Sequence, residues 1–339
     1  MNVSRVANMT MKTCLTRNLA TKPKHLVSIS QLSKEELNSL VNKAAHYKKV
    51  FKNGIDTQAN HTKLMGKLVG LLFSKRSTRT RLSCEGSAAY FGAQPIFLGK
   101  DDIQLGVNES VLDTTKVISS MTSCIFARVN THQDILDLCE HSSVPIINSL
   151  CDRYHPLQAI TDILTIKETF SKTAGLKLTW IGDSNNVIND LAIASLLSGI
   201  NVSISIPKGI EFDQQIVDLA TKLATEHNLN FEIVNDPIQA LEGANIIVTD
   251  TWISMGEELQ KEAKLKQFAG YQITQDMLTK GNVSTNWKFL HCLPRHQEEV
   301  NDEIFYSENS VVFEEAENRL YTAMAVIDAF VINKGDLLV

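Results

Sequence analysis

The sequence predicts an α/β fold with two doubly wound parallel-sheet domains. Short apolar runs alternate with helical stretches along the chain, which is the pattern of parallel sheets covered by helices. The alternation forms two series, over 25–155 and 175–313, and 339 residues are enough for two separate cores. An interdomain helix over 156–174 is expected to join the domains. A C-terminal helix over 314–339 is expected to pack back on the first domain.

Composition limits the class of protein before any motif is considered. The chain is 43% apolar and 21% charged, which is typical of a soluble globular protein. A net charge of −5 argues against nucleic acid as the main partner. No apolar run reaches the roughly 18–20 residues of a membrane span. Six cysteines without C-x-x-C spacing favour a reducing compartment over disulfides or structural zinc.

The first 24 residues differ from the rest of the chain. Residues 1–24 include five Lys or Arg residues and no acidic residue, and Ser and Thr are frequent. This composition predicts a mitochondrial transit peptide and therefore a protein of the mitochondrial matrix. The alternative is a merely disordered N-terminus on a cytoplasmic protein.

Apolar runs and their flanking residues predict the elements of the first domain. Ser33 and Glu36 form a capping-box pattern that opens a helix over 34–51. Pro156 suits the first turn of a helix that runs to Phe170. The other predicted elements are strands over 68–73, 93–98, 124–129 and 144–148, helices over 111–120 and 131–139, and a polar loop over 101–110.

The sequence Ser-Thr-Arg-Thr-Arg over 77–81 follows the first of these strands. Ser77 can cap the next helix, and the unpaired N–H groups and dipole at a helix N-terminus favour an anion. Arg79 adds a bidentate guanidinium for phosphate, whereas Arg81 faces nearly the opposite way and is expected to pair with Glu85. The alternative is a capped amphipathic helix with surface arginines.

Two further polar residues, Arg128 and His155, follow later strands of this domain, and Gln158 lies in the helical turn after His155. The carboxyl ends of parallel strands meet at one edge of a sheet. We therefore expect a second cation and a hydrogen-bond donor beside the anion loop. Taken singly, Arg128 would indicate a surface ion pair and His155 a helix cap.

The second half of the chain repeats the alternation of strands and helices. Its predicted strands cover 176–181, 201–206, 230–234, 245–249 and 288–291, with helices over 213–226 and 314–333. The turn over 182–186 lacks G-x-G-x-x-G, and no acid ends the next strand. These two absences disfavour a nicotinamide cofactor.

Several residues of this half are candidates for chemistry. Asn185 and Asn186 suit a small polar ligand, unless they only shape their turn. Asp250 ends a strand and suits a cationic substrate, unless it caps a helix. Cys292 also ends a strand, and its thiol is reactive only as a thiolate; a free Cys is otherwise an ordinary core residue. Arg319 lies early in the last helix.

Four motifs together resemble those of the ornithine carbamoyltransferases, a branch of the aspartate/ornithine transcarbamylase family. They are Ser-Thr-Arg-Thr-Arg at 77–81, His-Pro-Leu-Gln at 155–158, the stretch 250–256 with Ser-Met-Gly, and His-Cys-Leu-Pro at 291–294. The first two belong to transcarbamylases generally, and the last two are specific to the ornithine branch. The likeness covers essentially residues 25–335.

The resemblance implies a reaction and a set of site residues. The reaction transfers the carbamoyl group of carbamoyl phosphate to the δ-amine of L-ornithine, giving L-citrulline and phosphate, in arginine biosynthesis or the urea cycle. The first domain would bind carbamoyl phosphate and the second ornithine. The residues implied to hold the phosphate are Ser77, Thr78, Arg79, Thr80 and, near the subunit boundary, Gln104. Those implied at the carbamoyl end and reacting centre are Arg128, His155, Gln158, Cys292, Leu293 and Arg319. Those implied to bind ornithine are Asn186, Asp250, Ser254 and Met255. Members of the family are trimers that use no cofactor and no obligatory metal.

The implied reaction needs a neutral amine, and an amine of ordinary pKa is mostly charged at neutral pH. An alkyl ammonium has a pKa near 10.4, so most of the attacking amine is protonated at neutral pH. Our hypothesis is that Asp250 positions the amino acid and the Cys292 thiolate accepts the proton. Arg128, His155 and Thr80 are expected to stabilise the charge on the carbonyl oxygen.

Three other functions remain open at this point. A carbamoyltransferase for another amine, such as putrescine, would leave Asn186 and the Ser254 loop without a carboxylate to bind. A catalytically silent subunit that binds carbamoyl phosphate would not need Cys292, Asp250 or Arg319. A dehydrogenase is disfavoured by the missing glycine pattern.

Overall fold

The structure is a computed structural model that describes residues 22–54, 58–100, 103, 109–253 and 261–339. Three predicted site residues lie outside the described residues: Gln104, Ser254 and Met255. Most of the predicted leader over 1–24 also lies outside them.

The first domain is built on a parallel sheet. Its strands are β1 (Leu68–Phe73), β2 (Gln94–Gly99), β3 (Ile125–Arg128) and β4 (Ile146–Leu150). In the described residues the strand order is β2-β1-β3-β4. The order reverses between β1 and β3, and an open α/β sheet binds ligands at such a point. The predicted strand over 144–148 begins two residues later than expected, because Pro145 has no N–H to give to a ladder.

The helices of this domain follow the predicted caps closely. They are α1 (Lys34–Lys52), α2 (Gln58–His61), α3 (Thr78–Tyr90), α4 (Val111–Met121) and α5 (His132–His141). Ser33 and Glu36 form the predicted capping box at the start of α1. Ser77 caps α3, which places the N-terminus of that helix at the end of β1.

The second domain has a parallel sheet of its own. Its strands are β5 (Lys177–Ile181), β6 (Asn201–Ser205), β7 (Phe231–Val234), β8 (Ile246–Thr249) and β9 (Lys288–His291). In the described residues their order is β7-β6-β5-β8-β9, which reverses between β5 and β8. Its helices are α7 (Asn186–Leu197), α8 (Gln214–His227), α9 (Pro237–Leu241), α10 (Lys261–Gln267), α11 (Gln275–Lys280) and α12 (Asp302–Phe305).

Two helices connect the domains. The interdomain helix is α6 (Pro156–Phe170), which is buried from Pro156 to Ile166 and packs against both α1 and α7. The C-terminal helix α13 (Val312–Val326) continues as a π-helix over Ile327–Ile332 and packs against α1, α3 and α6. The predicted α/β fold with a returning C-terminal helix is confirmed. Among the described residues, no helix combines the length and apolar character needed to cross a membrane.

Candidate active site

The anion loop lies where β1 meets α3. The hydroxyl of Ser77 accepts the backbone N–H of Thr80 at 3.2 Å, as expected of an N-cap. The guanidinium of Arg79 is half-buried and donates to the carbonyl oxygen of Leu293, which follows β9 of the second domain. Arg81 points elsewhere: its Nε donates to Glu85 at 2.8 Å, so the predicted pairing is confirmed. Thr78 is exposed at the first position of α3.

Two buried arginines, Arg128 and Arg319, stand close to this loop. Arg128 ends β3 and is 8% exposed, and Arg319 comes from α13 and is 3% exposed. Neither Nε has a hydrogen-bond partner among the described residues. Burial and the charge of Arg319 lower the pKa of Arg128 to about 10, so it stays cationic at neutral pH. A buried cation is costly unless an anion balances it, and no carboxylate is paired with Arg128 among the described residues, which indicates a binding site for an anionic ligand.

The guanidinium of Arg319 contacts three predicted site residues, which lie in the first domain and on the interdomain helix α6. Its Nη2 donates to the hydroxyl of Thr80 at 3.4 Å, and its Nη1 donates to Oε1 of Gln158 and lies 3.4 Å from Nε2 of His155. Burial, reinforced by nearby guanidinium groups, lowers the pKa of His155 well below 6.5. The imidazole is therefore neutral. With Nε2 accepting from Arg319, the hydrogen lies on Nδ1, which has no partner among the described residues and can donate to a ligand.

The backbone of His155 is held from the other domain. Its N–H donates to Oδ2 of Asp190, a buried carboxylate on α7, at 2.8 Å. Oδ1 of Asp190 accepts the N–H of Ile29 at 2.8 Å. Asp190 therefore fixes the position of His155 relative to the N-terminal segment, and no sequence pattern predicts this role.

In the second domain, Asp250 at the end of β8 uses both carboxylate oxygens. Its Oδ1 accepts from Sγ of Cys292 at 3.2 Å, and its Oδ2 accepts from Nδ2 of Asn185 at 3.0 Å. Burial raises the pKa of Asp250. Burial, and then the charge of Asp250, raises the pKa of Cys292 well above 9.0. The thiol of Cys292 is therefore protonated at neutral pH, and the expectation that it enters as a thiolate is wrong for this ligand-free site.

Asn185 and Asn186 have different roles. Asn185 caps α7 by accepting the N–H groups of Val187 and Ile188 at 3.0 and 3.3 Å, which orients its amide toward Asp250. Asn186, the residue expected to bind ornithine, donates to the carbonyl oxygen of Cys151 and contacts none of the other predicted site residues through a described hydrogen bond. The sequence signal available for Asn185 was its place in the turn after β5, on the same edge of the sheet as Asp250.

One group among the described residues could hold a metal ion. Ligand atoms of Asp250, His291 and Cys292 lie within 4.8 Å of one another. Nδ1 of His291 already accepts the N–H of Leu293 at 2.9 Å, and its Nε2 faces Glu299 at 3.4 Å. Burial lowers the pKa of His291 to about 4, so this ring is neutral and orients the backbone at Leu293.

The site as a whole presents an anion cradle and neutral donors on one sheet, opposite a buried carboxylate on the other. Such an arrangement suits the transfer of a group from a phosphate to an amine. The first domain, the interdomain helix α6 and the C-terminal helix contribute Ser77, Arg79, Thr80, Arg128, His155, Gln158 and Arg319. Asp250, Cys292 and Leu293 come from the second domain.

Comparison with known families divides the chain in the same way. Residues 24–168 match the family described as "Aspartate/ornithine carbamoyltransferase, carbamoyl-P binding domain". Residues 174–330 match the family described as "Aspartate/ornithine carbamoyltransferase, Asp/Orn binding domain".

Relatives resemble the chain over nearly its whole length. It is 62% identical to "Ornithine transcarbamylase, mitochondrial" of Pachysolen tannophilus, over 94% of this chain and 91% of that protein. It is 60% identical to "Ornithine carbamoyltransferase" of Saccharomyces cerevisiae, over 92% of this chain and 95% of that protein. The crystal structure of a mitochondrial ornithine carbamoyltransferase from Coccidioides immitis aligns with a TM-score of 0.87 at 49% identity, covering 93% of this chain and 99% of that one.

Proposed function

The chain belongs to the aspartate/ornithine carbamoyltransferase family and is a carbamoyltransferase that acts on ornithine, and we propose how its residues divide the work. Carbamoyl phosphate and L-ornithine are the substrates, and L-citrulline and phosphate are the products. The observation that best supports our assignment is the chain of contacts from Thr80 through Arg319 to His155 and Gln158. It brings the buried guanidinium of Arg319 and the unpartnered Nδ1 of His155 to the helix N-terminus of the anion loop.

The phosphate is assigned to the N-terminus of α3. Ser77, Thr78 and Thr80 offer hydroxyl and backbone donors there, and Arg79 offers a guanidinium that can bind two phosphate oxygens. Arg79 is engaged by the carbonyl of Leu293 in the ligand-free site, so the phosphate would compete for that cation. Gln104, outside the described residues, is assigned to the same pocket by its sequence position alone.

The carbamoyl group is assigned to the space between the buried cations and His155. Its carbonyl oxygen gains negative charge as the amine attacks, and Arg128, Thr80 and Nδ1–H of His155 can stabilise that charge. Loss of one such donor commonly costs about 3 kcal/mol. The amide end of the carbamoyl group carries N–H donors, which suit the side-chain oxygen of Gln158 and the carbonyl oxygen of Leu293.

Ornithine is assigned to the second domain. Asn186, Ser254 and Met255 would bind the amino acid, and Asp250 would face its δ-ammonium. Two protons must leave that nitrogen: one passes through Asp250 toward solvent before attack, and the other joins the departing phosphate. A carbon–nitrogen bond forms, and the bond between the carbamoyl carbon and the phosphate oxygen breaks. Cys292 acts as a hydrogen-bond donor that orients Asp250.

A citrulline assay tests this assignment. Purified protein is given carbamoyl phosphate with ornithine, putrescine or aspartate at equal concentration. We expect ornithine to be the preferred acceptor. Faster carbamoylation of putrescine would identify a different amine transferase. Binding of carbamoyl phosphate without turnover of any acceptor would identify a silent binding subunit.

We further propose a homotrimer built through the first domain. Apolar side chains on α3 and α4 are exposed in the single chain: Leu82 is 64%, Val117 48% and Met121 65% exposed. Sedimentation velocity of wild type should give a trimer, and Leu82→Glu with Met121→Glu should give monomers. Phe313→Glu, at a 60% exposed site near the start of α13 and beside Phe305 of α12, is the matched control and should remain trimeric. A monomeric wild type would contradict the proposal.

Several of its relatives are named as mitochondrial enzymes, the enzyme is itself mitochondrial, and we propose that it lies in the matrix. The basic, acid-free composition of residues 1–24 supports a cleaved leader. Fusing residues 1–24 to a fluorescent protein should send that protein to the matrix, and a diffuse cytoplasmic signal would overturn this placement.

A further inference from the structure

Two buried acids fix the amide of Gln158. Its Nε2 donates to Oδ1 of Asp162 at 2.8 Å and to Oε1 of Glu315 at 2.8 Å, so both amide hydrogens are used. Its Oε1 accepts from Arg319. A reversed amide would place hydrogens against the guanidinium and an oxygen against the two acids. The network therefore sets which end of Gln158 can meet a ligand.

Glu315 also reaches the second domain. Its Oε2 accepts the backbone N–H of His291 at 2.9 Å, and His291 ends β9 directly before Cys292. One carboxyl group thus joins a residue assigned to the carbamoyl group with the strand end that presents Cys292 and Leu293. Asp162 and Glu315 are each 1% exposed, so solvent does not replace these contacts.

Charge balance requires the two acids to share a proton. Two ionised carboxylates would face the single guanidinium of Arg319 in a dry site, whereas one proton leaves one negative charge against one positive charge. Both acids accept from the same Nε2 of Gln158 and so lie side by side, and burial raises the pKa of both groups, that of Asp162 to about 7. The other titratable groups that act electrostatically on the pair are Asp250 and Cys292.

We propose that Asp162 and Glu315 form a carboxyl pair that holds one proton and positions both substrate sites at once. The pair orients Gln158 for the carbamoyl group and anchors the end of β9 for the amine. Both are positioning residues, because neither is assigned a contact with substrate. The kinetic consequences rest on the proposed function, whereas the shared proton can be measured without any substrate.

Two isosteric variants separate this role from simple packing. In Asp162→Asn, the new amide oxygen still accepts from Gln158 and its NH₂ donates to an ionised Glu315, so bonds and charge are kept. We expect kcat/KM for both substrates within about threefold of wild type. In Glu315→Gln, an NH₂ replaces one of two acceptor oxygens, so a donor faces either Gln158 or the N–H of His291. We expect kcat/KM to fall roughly 10- to 100-fold.

The shared proton is tested by unfolding. Burial raises the pKa of both acids above their ordinary values, so the folded pair still holds its proton at a pH where both acids of the unfolded chain are ionised, and the protein loses stability as the pH rises through that range, from about 4 to about 7. Over that window the unfolding constant of wild type should rise relative to Asp162→Asn by up to about tenfold per pH unit. Asp190 and Glu299 are common to both proteins and cancel in the ratio.

Parallel unfolding curves for wild type and Asp162→Asn would overturn the shared proton. Equal kinetic losses in the two variants, or no loss in either, would overturn the positioning role. If Glu315→Gln does not fold, Asp162→Ala takes its place, because it removes one of the two acceptors of the Gln158 amide and should lower kcat/KM well below that of Asp162→Asn. A wild type that makes no citrulline would refute the proposed function and leave the unfolding test intact.

Discussion

The thiol of Cys292 donates a hydrogen bond to the carboxylate of Asp250 across 3.2 Å. This bond joins the ends of the neighbouring strands β8 and β9, where Asn185 holds the second oxygen of the same carboxylate. The thiol is therefore part of the support of Asp250, and its high pKa follows from that support together with burial.

Substitutions of Cys292 should show whether its thiol acts as a hydrogen-bond donor to Asp250 or as a base. Cys292→Ser keeps a donor to Asp250, whereas Cys292→Ala removes it. A hydrogen bond to a charged group is worth about 1.5–3 kcal/mol, so kcat/KM for ornithine should fall roughly 10- to 100-fold in Cys292→Ala and much less in Cys292→Ser. Binding of carbamoyl phosphate should change little in either. Steady-state kinetics measure kcat/KM for ornithine and KM for carbamoyl phosphate. A serine variant as impaired as the alanine variant would support the thiolate hypothesis instead.

Asn185 should affect both stability and ornithine use. Asn185→Ala removes the cap of α7, at a cost of about 1 kcal/mol, together with the donor to Asp250. Asn185→Ser keeps a capping oxygen but is too short to replace that donor. Both variants should raise KM for ornithine by about tenfold, and only the alanine variant should lower the melting temperature. Calorimetry and kinetics test this; unchanged ornithine kinetics in both variants would contradict the role.

Arg79 and Arg81 form a matched pair two positions apart. Arg79→Ala should weaken carbamoyl phosphate binding by at least about a hundredfold, because a bidentate, charge-assisted contact is lost. Arg81→Ala breaks an exposed pair with Glu85, which is worth less than about 1 kcal/mol, and should change binding less than threefold. Calorimetric titration measures the affinity, and circular dichroism checks the fold. Similar losses in the two variants would show that the ligand is wrongly assigned.

His155 should remain neutral and make the fold sensitive to acid. Its folded pKa lies well below 6.5, so the stability that it contributes is present above pH 6.5 and is lost as the pH falls. Between pH 6.5 and 5, the unfolding constant of wild type should rise relative to His155→Gln by up to about tenfold per pH unit. Urea unfolding at three pH values measures this ratio. A ratio that does not change with pH would mean that the imidazole is already charged in the folded protein.

The sequence predicted those elements best whose ends carry clear signals. The strands Leu68–Phe73 and Lys288–His291 and the helix Pro156–Phe170 match their predicted bounds, because an apolar run or a helix-starting proline marks them. The helix Asn186–Leu197 was not delimited, because it is buried from Val187 to Leu197 and so lacks amphipathic periodicity. The π-helical end over Ile327–Ile332 has no local sequence signal.

The placement of candidate site residues was predictable where they follow a strand and not where they act through distant partners. Arg128 ends β3, Asp250 directly follows β8, and His155 lies in the connection from β4 to α6, so the sheets bring them to the edges where the strands end. Glu315 meets Gln158 across 157 positions of sequence, and a pairing of that kind cannot be read from spacing. The raised pKa of Cys292 in the ligand-free site could not be predicted for a similar reason, because the burial that causes it exists only in the folded chain.

The guanidinium of Arg319 reaches the first domain from the far end of the polypeptide, on helix α13. A premature stop codon or a protease cut just after β9 would spare every described strand yet remove this cation. Such a product would also lack the buried face of α13 that packs against α1, α3 and α6, so the first domain should lose stability together with the cation. A late truncation should therefore abolish turnover even though it leaves every described strand in the chain.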